Sequence, residues 1–318
     1  MTGTDINVRH RDTEEIIIMR VFVTGASGWI GSAVVPELID AGHHVVGLAR
    51  SQASAALIEA AGATSHPGSI DDLDSLREGA AHADAVIHLA FRHDFSDFAA
   101  SGRSERAVIA TFVEALEGSD RPFLFASGAG GITPGRVANE NDRLPAMGAD
   151  GPRGGGEELA FAHVENGVHA VALRFSTSVH GENDHGFVAQ LVRIAREKGV
   201  SAYIGDGSNR WPAVHRLDAA QLVRLALEKA PAGSAVHAVA DQGVPTREIA
   251  ETIGRGLDLP IASVAPEQAA EHFGWLGSIF ALDIPASSAI TQQQLGWTPT
   301  HPGLIADLAA GHYFRSAS

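Results

Sequence analysis

From residue 20 onward, short apolar runs alternate with helix-length amphipathic stretches. The runs Val21-Phe22-Val23, 44–48, 85–89, 122–125 and 168–173 are rich in Val, Ile, Leu and Phe at positions of both parities. A strand with one wet face would alternate apolar with polar, so these read as strands covered by helices on both sides. Helices are predicted between them over 29–41, 73–80, 104–117 and 156–166. Gly42 and Gly118 stand where helix C-terminal glycines belong. Regular alternation of strand and helix predicts an α/β protein with a Rossmann-type, doubly wound parallel sheet.

Beyond about residue 176 the alternation loosens. Helices are expected over 187–198, 217–229, 246–256 and 302–310, a strand near 236–240, and a loop over 205–212. The reading divides the chain into a polar leader (1–18), a dinucleotide-binding domain (19–176) and a region that is mainly a smaller C-terminal substrate lobe (177–318). Some segments of that lobe are expected to return to the Rossmann sheet. Met19 reads as an alternative start, because the patterned sequence begins at Arg20.

Composition narrows the function. Lys and Arg number 23 against 38 Asp and Glu, a net charge of −15, which argues against nucleic acid or an anionic membrane as partner. The chain has no cysteine, so disulfides, thiolate nucleophiles and Cys-ligated metals are excluded. No apolar run approaches the roughly 18–20 residues of a membrane span. The first twenty residues lack a signal-peptide layout, which makes a cytoplasmic location the expectation. Sixteen histidines raise the question of metal, yet no H-E-x-x-H or comparable spacing occurs, and no metal site is expected.

Candidate chemistry begins at Thr24-Gly25-Ala26-Ser27-Gly28-Trp29-Ile30-Gly31, which follows the first strand and opens the first helix. Gly25 suits a tight turn, Gly28 the close approach of a pyrophosphate, and Gly31 close helix–strand packing. The helix N-terminus then presents free N–H groups and its positive dipole end to the anion. Where an NAD site would carry Asp or Glu at the end of the second strand, this chain has Arg50 and Ser51. A guanidinium and a hydroxyl suit a 2′-phosphate, so NADP is favoured over NAD; a solvated surface Arg is the alternative.

The T-G-x-x-G-x-x-G spacing resembles the extended short-chain dehydrogenase/reductase superfamily, in its NAD-dependent epimerase/dehydratase group. Ser69-Ile70-Asp71 is similar to the family segment whose Asp meets the adenine, and Ile87-His88-Leu89-Ala90 to the fourth strand lining the cofactor. Phe123-Leu124-Phe125-Ala126-Ser127 resembles the fifth strand. The stretch from Leu173-Arg174 to Val179-His180-Gly181 resembles the turn near the nicotinamide, with His180 in place of a Tyr. Trp211-Pro212-Ala213-Val214-His215-Arg216-Leu217-Asp218 is similar to the later V-H-V-x-D segment.

The resemblance fails at the catalytic end. It implies a Ser/Thr with a Tyr and a Lys spaced Y-x-x-x-K, the Lys charge lowering the Tyr pKa. The two tyrosines are Tyr203 and Tyr313, and four residues beyond them lie Gly207 and Ala317. Alignment without gaps puts Arg153 at the Tyr position, Glu157 at the Lys position, and Gly128 or Ala129 at the Ser/Thr position, just after Ser127. Arg153 cannot act as a proton acid near neutral pH. It could hold a substrate carboxylate or phosphate with Glu157 as its orienting partner, or the two could be an exposed helical pair. Ser127 could donate to a substrate oxygen or satisfy backbone. His180 could transfer protons, or belong to a loop whose side chains meet water. His215 could line the pocket, and His272-Phe273-Gly274-Trp275-Leu276 could wall it or pack the second lobe.

The leading expectation is an atypical NADP-dependent oxidoreductase that moves hydride to or from a small carbonyl, enol or imine substrate without the Tyr/Lys dyad. A non-catalytic NADP-binding sensor and a non-redox isomerase or lyase stand beside it. Homodimerisation through the helices over 104–117 and 156–166 is what the resemblance implies. The first of them carries Val108, Ile109, Phe112, Val113 and Leu116, which could equally face the sheet.

Overall fold

Val21, Phe22 and Val23 are all fully buried, and they divide between two cores. Val21 and Val23 pack on one side of the sheet, Phe22 on the other, as the two-residue repeat of a strand requires. At about 1.5–3 kcal/mol for each such side chain removed from water, this one strand is a substantial fastener between the layers.

The computed structural model describes residues 17–92, 97–133, 135–144, 148–150 and 152–315. In chain order, the first half forms β1 (Arg20–Thr24), α1 (Gly31–Asp40), β2 (His44–Ala49), α2 (Gln52–Ala60), β3 (Thr64–Pro67), α3 (Leu73–Ala81), β4 (Ala85–His88), α4 (Phe98–Leu116), β5 (Pro122–Gly128), α5 (Gly156–Phe161) and β6 (His169–Phe175). The second half continues with β7 (Ser178–His180), α6 (Phe187–Lys198), β8 (Ser201–Ile204), β9 (Arg210–His215), α7 (Arg216–Lys229), β10 (Ser234–Ala238), β11 (Asp241–Pro245), α8 (Thr246–Leu257) and β12 (Ile261–Val264). It ends with α9 (Ala269–Phe273), α10 (Leu276–Phe280), α11 (Ala289–Leu295) and α12 (Leu304–Ala309).

Seven strands form one sheet in the order β10-β6-β5-β4-β1-β2-β3, with every neighbouring pair parallel. This is the Rossmann-type α/β architecture. The chain reverses direction of growth between β1 and β4, and the carboxyl ends there are the crevice where such sheets take ligands. α1 and α7 cover one face; α3, α4 and α5 cover the other.

Several boundaries differ from the sequence expectation. The first helix starts at Gly31 rather than 29, because the preceding residues close a turn in which Gly28 N–H donates to Gly25 O. The helix over 156–166 stops at Phe161 and resumes as a 3-10 turn at Val164–Asn166. β9 begins at Arg210, inside the stretch read as loop. α2 and β3 were not expected: Thr64-Ser65-His66-Pro67 has no apolar run, yet it pairs beside β2 as the edge of the sheet.

α7, β10 and the end of α11 (Leu295, with Trp297 beyond it) return to the first core, while most of the remaining second half packs around Trp211, Phe273, Phe280, Leu304 and Leu308. There, β11-β9-β7 and β12-β8 form two small sheets. Phe273 and Leu276 are core residues of this lobe, and Trp275 is 44% exposed. In α4, Val108, Ile109, Phe112, Val113 and Leu116 are all buried within the chain, so that stripe offers no free apolar face to a second copy. Among the described residues no helix is long and apolar enough to cross a membrane, and no group of three or more ligating side chains could hold a metal ion.

Candidate active site

The glycine turn is shaped by close approaches that no side chain would tolerate. Gly25 takes φ +71°, and a Cβ there would stand 2.7 Å from Ala90 N, pressing into the segment after β4. A Cβ on Gly31 would lie 2.0 Å from Gly25 O. The N-terminus of α1 has no side-chain cap and no acidic residue in its first turn, so although Ser32 and Ala33 N–H donate to Gly28 O and Ile30 O, no carboxylate competes with an anion at the positive dipole end. Gly28 is exposed at that opening, flanked by half-buried Ser27, Trp29 and Ile30. These residues fit the pyrophosphate of a dinucleotide. Trp29 is pinned by its indole N–H to Val179 O (2.7 Å), and the Arg216 guanidinium lies over its ring at 4.3 Å.

Arg50 lies exposed at the end of β2 with no ion pair or hydrogen bond to another described residue. Ser51 has a local task that the sequence reading did not assign. Its hydroxyl accepts from Ser54 N–H (3.2 Å) and its own N–H donates to Ser54 Oγ, a reciprocal cap that starts α2. Asp71 forms an exposed pair with Arg92 at 2.5 Å. Leu89 N–H donates to Thr24 O and Ala90 N–H to Thr24 Oγ1, tying the end of β4 to the glycine turn.

At the catalytic end, Arg153 and Glu157 do not pair with each other. Arg153 adopts φ +51°, and one of its Nη atoms donates to Ala126 O (2.9 Å) and to Glu105 Oε1 (3.2 Å). Its guanidinium lies 4.3 Å over the Phe91 ring, with the side chain 27% exposed. Glu157 is buried and bound from two sides. Ser127 Oγ donates to its Oε2 at 3.1 Å, as does Arg174 Nε, while Arg174 Nη2 pairs with its Oε1. Glu157 is therefore the counter-ion of Arg174, not the orienting partner of Arg153. The other Arg174 Nη meets His237 Nε2 at 3.2 Å, and His237 Nδ1 donates to Ser287 O at 2.8 Å. Burial holds His237 below its ordinary pKa against the pull of Glu140, and Arg174 pushes it further down.

A second buried chain supports Arg153. Thr24 Oγ1 is hydrogen-bonded to His88 Nδ1 (2.6 Å), and His88 Nε2 donates to Glu105 Oε2 (3.2 Å). Burial raises the Glu105 carboxyl, but His88 and Arg153 together outweigh it and hold the group below the ordinary carboxylate range. Glu105 thus stays ionised as the hinge between the cofactor turn and Arg153. Sequence reasoning named neither Glu105 nor the role of His88, although a signal exists. Glu105 falls in register with Ser101, Val108, Ile109, Phe112 and Leu116, the buried stripe of α4. A charge in an apolar stripe, like Arg174 in the apolar run of β6, demands a buried partner.

His180 is fully buried. Its Nδ1 is 2.8 Å from Asp307 Oδ2, and its ring meets His215 edge-on at 5.5 Å. It anchors α12 to β7 and presents no open face to a substrate, because a side chain sealed by packing cannot exchange protons with a bound molecule. His215 caps α7 through Leu217 N–H and stacks on His301 at 4.7 Å. Of the four candidate catalytic residues, Arg153 alone is not buried, its side chain being 27% exposed.

Comparison with known proteins agrees with this architecture. The family model of the NAD dependent epimerase/dehydratase family matches residues 21–130. An uncharacterized protein of Schizosaccharomyces pombe is 49% identical over 93% of this chain and 100% of its own length. A 2'-dehydrokanamycin reductase of Streptomyces kanamyceticus is 30% identical over 80% of this chain and 72% of its own. Among solved structures, a dTDP-glucose 4,6-dehydratase of Streptomyces venezuelae with NAD bound superposes with a TM-score of 0.72. It is 20% identical, covering 93% of this chain and 97% of that one, a likeness of fold.

Proposed function

Because the chain belongs to the NAD dependent epimerase/dehydratase family, we propose that it is an NADP-dependent oxidoreductase that works without a Tyr/Lys dyad. Its substrate would be a small carbonyl, enol or imine compound. A bound nicotinamide supplies hydride. The observation that carries the reading is the cradle formed by Gly25, Gly28 and Gly31 against an uncapped helix N-terminus, followed one strand later by the open guanidinium of Arg50. Gly25 and Gly31 let the dinucleotide approach the backbone, and Arg50 pairs with a 2′-phosphate that a carboxylate would repel. The similarity to a reductase supports carbonyl chemistry. Hydride transfer depends mostly on proximity and alignment, so an electrophilic substrate can react with its proton taken from water.

The test is a titration of the purified chain with NADPH and NADH, followed by a carbonyl and imine panel read at the absorbance of reduced cofactor. Tighter binding of NADPH, reduced at least tenfold by Arg50→Ala, is expected; equal affinities for the two cofactors would remove the Arg50 argument. The burial of Ser127, Glu157 and His180 favours one second reading, a non-catalytic NADP-binding protein. Binding without turnover across the panel would select it.

A further inference from the structure

Arg153 is held in a way that leaves one particular edge of its guanidinium without a hydrogen bond to any of the described residues. The residue sits in Pro152-Arg153-Gly154-Gly155-Gly156 and takes a left-handed backbone, φ +51°, a conformation that a neighbouring glycine type would adopt at lower cost. A non-glycine residue kept in that region costs of order 1 kcal/mol and is a pointer to function. Arginine carries five N–H donors. Both protons of one Nη are committed, to Ala126 O and to Glu105 Oε1. The Nε–H and the remaining Nη have no partner among the described residues, and together they form the side-on fork that matches the two oxygens of a carboxylate.

The described surroundings fix the orientation of this fork. Phe91 supports the guanidinium plane from one face, and the side chain is 27% exposed. Ala126 lies two residues before the end of β5, and Phe91 follows Ala90, whose N–H is bound to Thr24 of the glycine turn. Arg153 therefore stands at the carboxyl ends of β4 and β5, beside the cofactor turn. Its charge is oriented by Glu105, which His88 and Thr24 hold from behind.

We propose that the free Nε–Nη edge of Arg153 binds a carboxylate of the substrate, so that the compound turned over is an oxo acid or a related anion rather than a neutral ketone. The proposal rests on the oxidoreductase reading and deepens it by naming the substrate class. Arg153 acts as a fixed anchor that places the reacting carbon; it neither gives nor takes a proton.

Calorimetric titration of the full chain, with NADPH present and absent, tests it with two probes of equal shape, phenylglyoxylate and phenylglyoxylamide. The acid should bind the NADPH-loaded protein about 30-fold more tightly than the amide, the difference expected of charge-assisted bonds. Arg153→Gln should abolish that preference, and Arg153→Lys, which keeps the charge but loses the fork, should retain only part of it. Equal affinity for acid and amide overturns the proposal, as does an undiminished preference in a folded Arg153→Gln protein. If both variants unfold, the comparison of acid with amide in the unaltered chain decides alone. Failure to bind NADPH while the acid preference persists sinks the cofactor reading and leaves the anchor standing; NADPH binding without acid preference does the reverse.

Discussion

Arg174 and Glu157 form an ion pair sealed from solvent, with the Arg174 side chain 0% exposed, and it ties β6 to α5 beneath the candidate site. Ser127 completes the carboxylate from β5 and His237 meets the guanidinium from β10, so one charge pair joins three adjacent strands and a helix. Glu157, the residue that alignment without gaps puts at the Lys position, here serves as the counter-ion of Arg174.

Removing one partner should leave the other charge buried and uncompensated. Arg174→Met is expected to lower unfolding free energy by about 3–5 kcal/mol, and the double variant Glu157→Leu/Arg174→Met to lose much less than the sum of the singles. Urea denaturation of the four proteins measures the coupling. Strict additivity would mean that the pair contributes nothing as a pair.

His237 makes stability depend on pH. Burial disfavours its charged ring, Glu140 opposes that effect and Arg174 reinforces it, leaving the folded-state value below the ordinary 6.5. The folded protein then binds fewer protons than the unfolded chain as pH falls. Its contribution is complete above about pH 6.5 and is lost progressively below it. Melting temperatures across pH 5–8 should show this decline, and His237→Gln should flatten it; an unchanged slope in the variant would assign the decline to other groups.

Glu105 governs a lower window. Its folded-state pKa is depressed, so its stabilisation is fully present above the ordinary value of 4.5 and disappears as pH falls beneath it. Glu105→Gln should shrink the acid limb of the stability profile and lower stability at neutral pH by about 1–3 kcal/mol, the scale of a lost charged hydrogen bond. Acid titration monitored by circular dichroism gives the comparison.

Gly31→Ala tests the cradle. The added methyl would stand 2.0 Å from Gly25 O, so the turn or the helix must shift. NADPH affinity should fall at least tenfold while the far-UV spectrum stays that of a folded protein. Unaltered affinity would contradict the assignment of this turn to the pyrophosphate.

The parallel sheet was legible in the sequence because its strands are buried on both faces, which leaves uninterrupted apolar runs such as Val21-Phe22-Val23. The glycine turn was legible because Gly25 and Gly31 sit where backbone meets backbone, a need that spacing alone expresses. The polar networks were not. The partners of Arg174 are Glu157 and His237, 17 and 63 residues away, and those of Glu105 are His88 and Arg153, 17 and 48 residues away. Such pairings are created by strand order, and a linear pattern records only that a charge lies where water does not reach. For the same reason the i,i+4 spacing of Arg153 and Glu157 misled, since the left-handed turn at 153 and the start of α5 at Gly156 send the two side chains to different partners.

The return of β10 to the sheet has a consequence for how the molecule can be divided. A fragment ending near residue 176 would strip β6 of its outer neighbour and expose a bare strand edge, with Arg174 deprived of His237. Such an edge invites pairing with other chains. Part of the second lobe lies between β6 and β10 and the rest follows β10, so a protease that nicks a loop such as 205–209 should release no independently folded half. The halves should stay associated under native conditions and come apart only on denaturation.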